Sequence, residues 1–308
     1  MTSPKMQELV NMIIQDMETG QPCPWEKPWF ARGMMNWKTG RGYNGMNVLS
    51  LAFSSDRRHF QSGQWATFKQ VSESKGRIKK GEKGTAVFFW SFDKERDQEG
   101  KPVEGGKTRA WKKTFIVFNF DQTEGLKPME IKSRELNPHD MAERILTMSG
   151  ADIQYPTTCN QACYSPTYDR VELPPRDAWK DDQSFYATAF HELIHWTCPK
   201  SRANRPHVYA VEGRAFEELV AEIGAAFLCA FLDMPYKNQH TAYIKAWASM
   251  FREKPDILMR AAGKAQKAAD YILCCAGLKE KTAYHDEETT PTPEKVAEEA
   301  ANRSLSLF

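Results

Sequence analysis

Residues 190–197 read FHELIHWT, and residues 215–232 read AFEELVAEIGAAFLCAFL. The first stretch sets His191 and His195 four apart with Glu192 between them. Helical side chains four apart share a face, so both imidazoles can reach one ion. Glu192, one residue along from His191, then points to the open coordination position. The lead-in FYATAF holds no helix breaker, and Cys198-Pro199 ends the helix just past His195. The bland alternative is a surface helix that happens to hold two histidines. A five-residue match in a helical context weighs against it.

A catalytic metal of this kind takes a third protein ligand and leaves a fourth position for water. Three schemes compete. A histidine six residues past the motif would fall on Ser201, so that scheme fails. His207 lies on the following loop. Glu218 lies in the second stretch, with Glu222 four residues on, so the two carboxylates face the same way. One can bind the metal while the other orients a ligating imidazole. Glu217 points about 100° away and reads as solvated. The spelling E-x-x-A-E resembles the gluzincin pattern, which implies Glu218 as ligand and Glu222 as the orienting carboxylate. The cofactor so implied is one Zn2+, with another divalent metal such as Mn2+ as the alternative. Glu192 would take a proton from water and pass it to the leaving amine of a peptide bond. Tyr186, His207 and Tyr209 are candidates to steady the oxyanion.

The chain of 308 residues is long enough for about two domains, and 41% of it is hydrophobic, so each half can bury a core. No apolar run approaches the roughly 20 residues of a membrane span, and MTSPKMQELV does not read as a signal peptide. The seven cysteines are scattered without a CxxC pair, which suits a cytoplasmic location. The pair in CNQAC, Cys159 and Cys163, reads as incidental. Residues 1–125 hold 20 Lys+Arg against 14 Asp+Glu, and the remainder 22 against 26. A mildly basic half beside a mildly acidic one suggests that one domain meets a polyanion.

Periodicity and punctuation divide the chain as α+β. Ser3-Pro4 opens an amphipathic helix over 4–18. Short helices are expected at 47–54 and 65–74, and TAVFFWS and WKKTFIVFNF read as the strands of a long hairpin with its loop over 92–109. Residues 1–125 form the first domain on this reading, and the polar stretch 126–137 is a linker. The second domain, 138–277, begins with a helix to about Met148. It continues with three short strands (ADIQY, CYSPTY, DRVELP), then helices over 182–197, 211–232, 238–251 and 256–275. Residues 278–308 read as a disordered tail.

In the first half, Trp25, Trp29, Trp37, Tyr43, Trp65 and Phe68 are interleaved with Arg32, Lys38, Arg41, Arg57, Arg58 and Lys69. Lys79, Lys80 and Lys83 follow in a glycine-punctuated turn beside Arg77. Rings that stack on bases beside cations that meet phosphates suit single-stranded nucleic acid. Equally, tryptophans beside prolines could staple a small core.

Both halves together resemble the plasmid antirestriction ArdC family and related primase-associated proteins. The N-terminal resemblance rests on PWEKPW, MNWKTGRGYNGMN, QWATFKQ, KKGEKG and FNFDQTEGL; the C-terminal one on FHELIHWT, AFEELVAEIGAAFLCA and KAQKAADYIL. It implies a domain that binds single-stranded DNA, a minimal gluzincin-like metallopeptidase domain, and protection of incoming mobile DNA from host restriction. The expected DNA contacts are Trp25, Trp29, Arg32, Asn36, Lys38, Arg41, Tyr43, Asn47, Trp65, Lys79, Lys80 and Lys83. The metal motif falls on His191, Glu192, His195 and the Glu218–Glu222 helix. An alternative role is a DNA-associated metalloprotease that cleaves DNA-bound regulatory or crosslinked proteins. Cys198-Pro199 stands where the family pattern has Gly, which bears on substrate scope.

Overall fold

The computed structural model describes residues 3–26, 33–94, 108–130, 137–205, 211–236 and 241–280. Helix α1 (Pro4–Glu18) starts as expected: Ser3 Oγ accepts from the Met6 N–H at 3.3 Å, and Pro4 occupies the first turn. Its buried side holds Met6, Leu9, Val10, Ile13, Ile14 and Met17. Beyond a 3-10 turn at Pro24–Glu26 come β1 (Met35–Asn36), α2 (Met46–Arg58), β2 (Gln64–Thr67), α3 (Phe68–Glu73), β3 (Arg77–Ile78), β4 (Thr85–Lys94), β5 (Thr108–Asn119) and β6 (Thr123–Glu124).

One sequence expectation changes here. The stretch 65–74 is a strand followed by a helix, because Trp65 and Ala66 pair with Asn119 and Phe118 and are buried by that pairing. Only from Phe68 does the chain turn helical, where Thr67 and Gln70 cap each other's backbone reciprocally. The strands form a four-stranded sheet in the order β1-β2-β5-β4 and a two-stranded sheet β3-β6.

The C-terminal part follows the expected order. It contains α4 (Pro138–Met148), β7 (Asp152–Gln154), β8 (Cys163–Ser165), β9 (Arg170–Glu172), α5 (Asp182–Trp196), α6 (Val211–Phe231), α7 (Ile244–Glu253) and α8 (Asp256–Cys275). The sheet order is β7-β9-β8, with β9 parallel to β7 and antiparallel to β8. The helix expected over 238–251 begins at Ile244, after a 3-10 turn at Thr241–Tyr243.

From Phe185 to Trp196 every residue of α5 except Thr188 is buried, so this helix is core on all sides. It packs on α6, and α6 on α8. At Gly224 a Cβ would stand 2.7 Å from the Ile194 side chain, so glycine is what lets α6 approach α5 beside the motif.

The chain forms two compact units, one of residues to Val87 and Ile116–Lys279, the other containing Phe88–Phe115. In the second unit Phe89 and Phe115 meet edge to face at 5.4 Å. In the first, residues from both sides of 126–137 pack together. Helix α1 lies on α7, Trp25 meets Trp247 edge-on at 6.0 Å, and the Gly45 N–H donates to Gln266 Oε1 at 3.0 Å.

Candidate metal centre

Helix α5 brings His191 Nε2 and His195 Nε2 to 3.1 Å from each other. From α6, Glu218 Oε2 comes within 3.4 Å of the first nitrogen and 3.9 Å of the second. All three donor atoms lie within 4.8 Å of one another. Two imidazole nitrogens on one tetrahedral ion at 2.0–2.1 Å would stand roughly 3.3 Å apart, so the donors already converge as a metal requires. Both histidines are buried.

The electrostatics of the pocket point the same way. Burial pulls the His195 pKa down, but hydrogen bonding to Glu217 and Glu218 and the nearby Glu192 charge lift it to about 10. Burial pushes Glu218 up, yet its contacts with His191 and His195 hold it well below the usual carboxylate range. The carboxylates therefore draw positive charge to the place where the donors meet. A divalent cation supplies that charge in place of a proton.

Glu192 lies on the β8 side of the pocket, where its Oε2 accepts from the Tyr164 N–H at 2.7 Å. Glu222 Oε1 stands 3.7 Å from His191 Nδ1, the ring nitrogen turned away from Glu218, and its other oxygen accepts from the Tyr236 hydroxyl.

Glu217 corrects the sequence reading. It is buried, not solvated, and its Oε1 lies 3.3 Å from His195 Nδ1. Burial would raise its pKa, but the Arg205 guanidinium and the His195 contact hold it at about 2. Arg205 is itself only 1% exposed and reaches both Glu217 oxygens at 3.1 Å. Sequence reasoning missed the pair because it gave α6 a solvated face. The run of small apolar residues around Ala225 and Ala226 was the signal to the contrary. A helix buried on every side must pair any carboxylate it carries.

Cys198 is buried and donates its thiol to Glu217 Oε1 at 3.3 Å; burial pushes that thiol up to about 12. Tyr186 is committed elsewhere, donating to Glu143 Oε1 at 2.5 Å. His207 and Tyr209 lie outside the described residues. Two further residues went unnoticed in the sequence. Arg202 pairs with Asp169 at 2.6 Å and lies 4.3 Å over the Trp196 ring. Tyr164 donates its hydroxyl to Asp169 at 2.9 Å and accepts from Arg202 Nη2 at 3.3 Å, so Arg202 ties the β8–β9 turn to the loop that follows α5.

The expected DNA contacts divide by depth. Trp25 and Trp65 are 0% exposed and Asn47 is buried, so none offers a face to a base; here the core reading of the tryptophans wins. Asn36 shapes its own loop, with Oδ1 accepting from the Lys38 and Thr39 N–H groups. Tyr43 is half-buried. Lys38, Arg41, Lys79, Lys80 and Lys83 are exposed, as are Lys69 and Phe68, the latter by 62%. Trp29 and Arg32 lie outside the described residues, as does most of the anticipated tail.

Comparison with known proteins agrees with this geometry. A family described as the N-terminal domain of anti-restriction factor ArdC matches residues 4–118, and one described as zincin-like metallopeptidase matches residues 140–264. The chain is 36% identical over 285 residues to the DNA primase TraC of Escherichia coli. That covers 85% of this chain but 19% of TraC, so the chain spans about a fifth of that relative. Two crystal structures of the antirestriction ArdC protein from plasmid R388 are similar over almost their whole length. The metal-free form has a TM-score of 0.76 at 32% identity and covers 90% of this chain and 99% of that one. The Mn(II)-bound form has a TM-score of 0.74 at 31% identity, covering 91% and 99%. The chain belongs to the ArdC antirestriction family, with an ArdC N-terminal region followed by a zincin-like, metal-binding fold.

Proposed function

We propose that this protein binds single-stranded DNA, shields incoming mobile-element DNA from restriction in the cytoplasm, and holds one divalent cation on His191, His195 and Glu218. The observation that carries the DNA reading is the exposed surface of residues 37–41, α3 and the β3 turn. Phe68 offers a solvent-facing ring beside Lys69, and Lys38 reaches Ser74 at the end of α3 at 3.2 Å. Lys75, Lys79 and Lys80 continue the cationic line. A ring takes a base and the lysines take phosphates, a combination indifferent to sequence, as protection of arbitrary DNA requires. Among the described residues no helix is long and apolar enough to cross a membrane.

When bound, the cation lowers the pKa of water toward about 7 and polarises a carbonyl. Glu192, which accepts from the Tyr164 N–H, would take a proton from that water and return it to a leaving amine. The Mn(II) of the R388 relative supports a divalent ion; Zn2+ and Mn2+ both suit the donors.

Binding to a fluorescent single-stranded oligonucleotide and to its duplex, across a salt series, tests the reading. Salt-sensitive preference for the single strand is expected; equal or absent binding overturns it. The second reading, a metalloprotease acting on DNA-bound proteins, draws on the intact Glu192. A Glu192→Gln variant that protects DNA as well as wild type counts against it, and protein cleavage stimulated by single-stranded DNA supports it.

A further inference from the structure

Arg205 lies outside the metal motif and touches none of the three donors, yet nearly all of its hydrogen-bonding capacity is spent on the frame that carries them. Its Nη1 donates to both Glu217 oxygens at 3.1 Å. Nη2 donates to the Ile194 carbonyl at 2.5 Å and to Thr197 Oγ1 at 3.0 Å, and Nε reaches Thr197 Oγ1 at 3.2 Å. One buried guanidinium therefore grips the last turn of α5, which carries His195, and the carboxylate of α6 that faces the His195 ring.

Glu217 sits next in sequence to Glu218 and 3.3 Å from the far nitrogen of His195. A carboxylate in that place acts on a cation at the donors through the ring. As an acceptor for Nδ1–H it fixes the tautomer and leaves the Nε2 lone pair toward His191 Nε2 and Glu218 Oε2. Arg205 Nη1, bonded to both oxygens, holds the carboxylate there.

We propose that Arg205 and Glu217 are the positioning pair of this metal centre: the carboxylate orients His195, and the guanidinium holds that carboxylate against the ring's Nδ1. The pair acts through His195 and touches no reacting atom. It rests on the proposed metal site, and the experiment separates the two.

The full-length protein is titrated with Mn(II) and the bound ion followed by electron paramagnetic resonance, with thermal melting of the metal-free form as a control. Wild type is expected to bind one ion. If wild type binds none, the metal assignment falls and this proposal with it. Arg205→Lys keeps the charge but loses the planar group that reaches Glu217, Ile194 and Thr197 at once. It is expected to bind Mn(II) about ten- to a hundred-fold more weakly, the usual cost of a lost orienting partner, with a changed spectrum. Glu217→Gln keeps an acceptor for Nδ1–H and is expected to lose less. In the Glu217→Gln background, adding Arg205→Lys should change affinity little, because the carboxylate it restrains is gone. Wild-type affinity and spectrum in Arg205→Lys overturn the proposal. So does an equal loss in both backgrounds, which would mean that Arg205 acts through the fold alone. Should Arg205→Lys fail to fold, Glu217→Gln decides: Glu217→Ala must then bind more weakly than Glu217→Gln, and equal affinities overturn the orienting role.

Discussion

At the candidate metal centre most of the polar side chains are buried and hold one another. In the basic half the aromatic and basic residues divide, with the large rings inside and the cations outside. His191, His195, Glu192, Glu217 and Glu222 are each less than a tenth exposed, and each polar group faces another. In the basic half, Trp25 and Trp65 fill the core while Phe68, from the same stretch of sequence, lies open beside Lys69. A spacing motif fixes direction because one helix sets the angle between its side chains. An interleaving of aromatic and basic residues fixes only composition, and depth decides which of them a ligand can reach.

The largest expected effect lies in the buried region. Replacing Glu218 by Ala removes a donor outright and leaves two histidines. Mn(II) affinity is expected to fall by at least ~10²-fold, beyond the ten- to hundred-fold cost of losing an outer partner. Full stoichiometry at wild-type affinity would show that another carboxylate or His207 is the ligand, and would break the contrast at its firmer end.

Next comes Trp25. Its ring is fully buried against Trp247, so Trp25→Ala should cost about 3–5 kcal/mol of stability, read by denaturant unfolding. Phe68→Ala should lie within about 0.5 kcal/mol of wild type in the same assay. The order reverses for binding. Phe68→Ala is expected to weaken single-stranded oligonucleotide binding by about 1–3 kcal/mol, the worth of one stacked base. If Phe68→Ala binds normally, the exposed surface around α3 is not where bases stack.

Much of this was legible beforehand, for reasons particular residues show. The Ser3 and Asn137 caps, each followed by proline, place α1 and α4 to the residue. His191, Glu192 and His195 needed only helical angles. The 65–74 stretch was misread because Trp65 and Ala66 take their structure from Asn119 and Phe118, more than fifty positions away, and local propensity is blind to such a partner. Arg205 was illegible for a similar reason. Its partners, Glu217, Ile194 and Thr197, are set by how residues 198–205 turn back on the end of α5, and no periodicity in KSRANR reports that.

Between the two regions lies an intermediate case that sharpens the contrast with the smallest effect. Glu143 on α4 accepts both Arg176 Nη groups, at 2.7 and 2.9 Å, and the Tyr186 hydroxyl at 2.5 Å, but its side chain is 43% exposed. Burial raises its pKa, and the bonds from Arg176 and Tyr186 more than offset that, so it lies below 4.5 in the folded protein. A carboxyl whose folded pKa is depressed contributes stability above its unfolded value and loses it as pH falls through the folded one. Solvent screening keeps such a pair under about 1 kcal/mol. Glu143→Gln should therefore melt slightly below wild type at pH 7, and the two melting curves should converge as pH drops below 4.5. A gap that persists in acid would mean that Glu143 works by packing rather than by charge. Half-exposed ion pairs in this protein would then belong with its buried network and not with its surface.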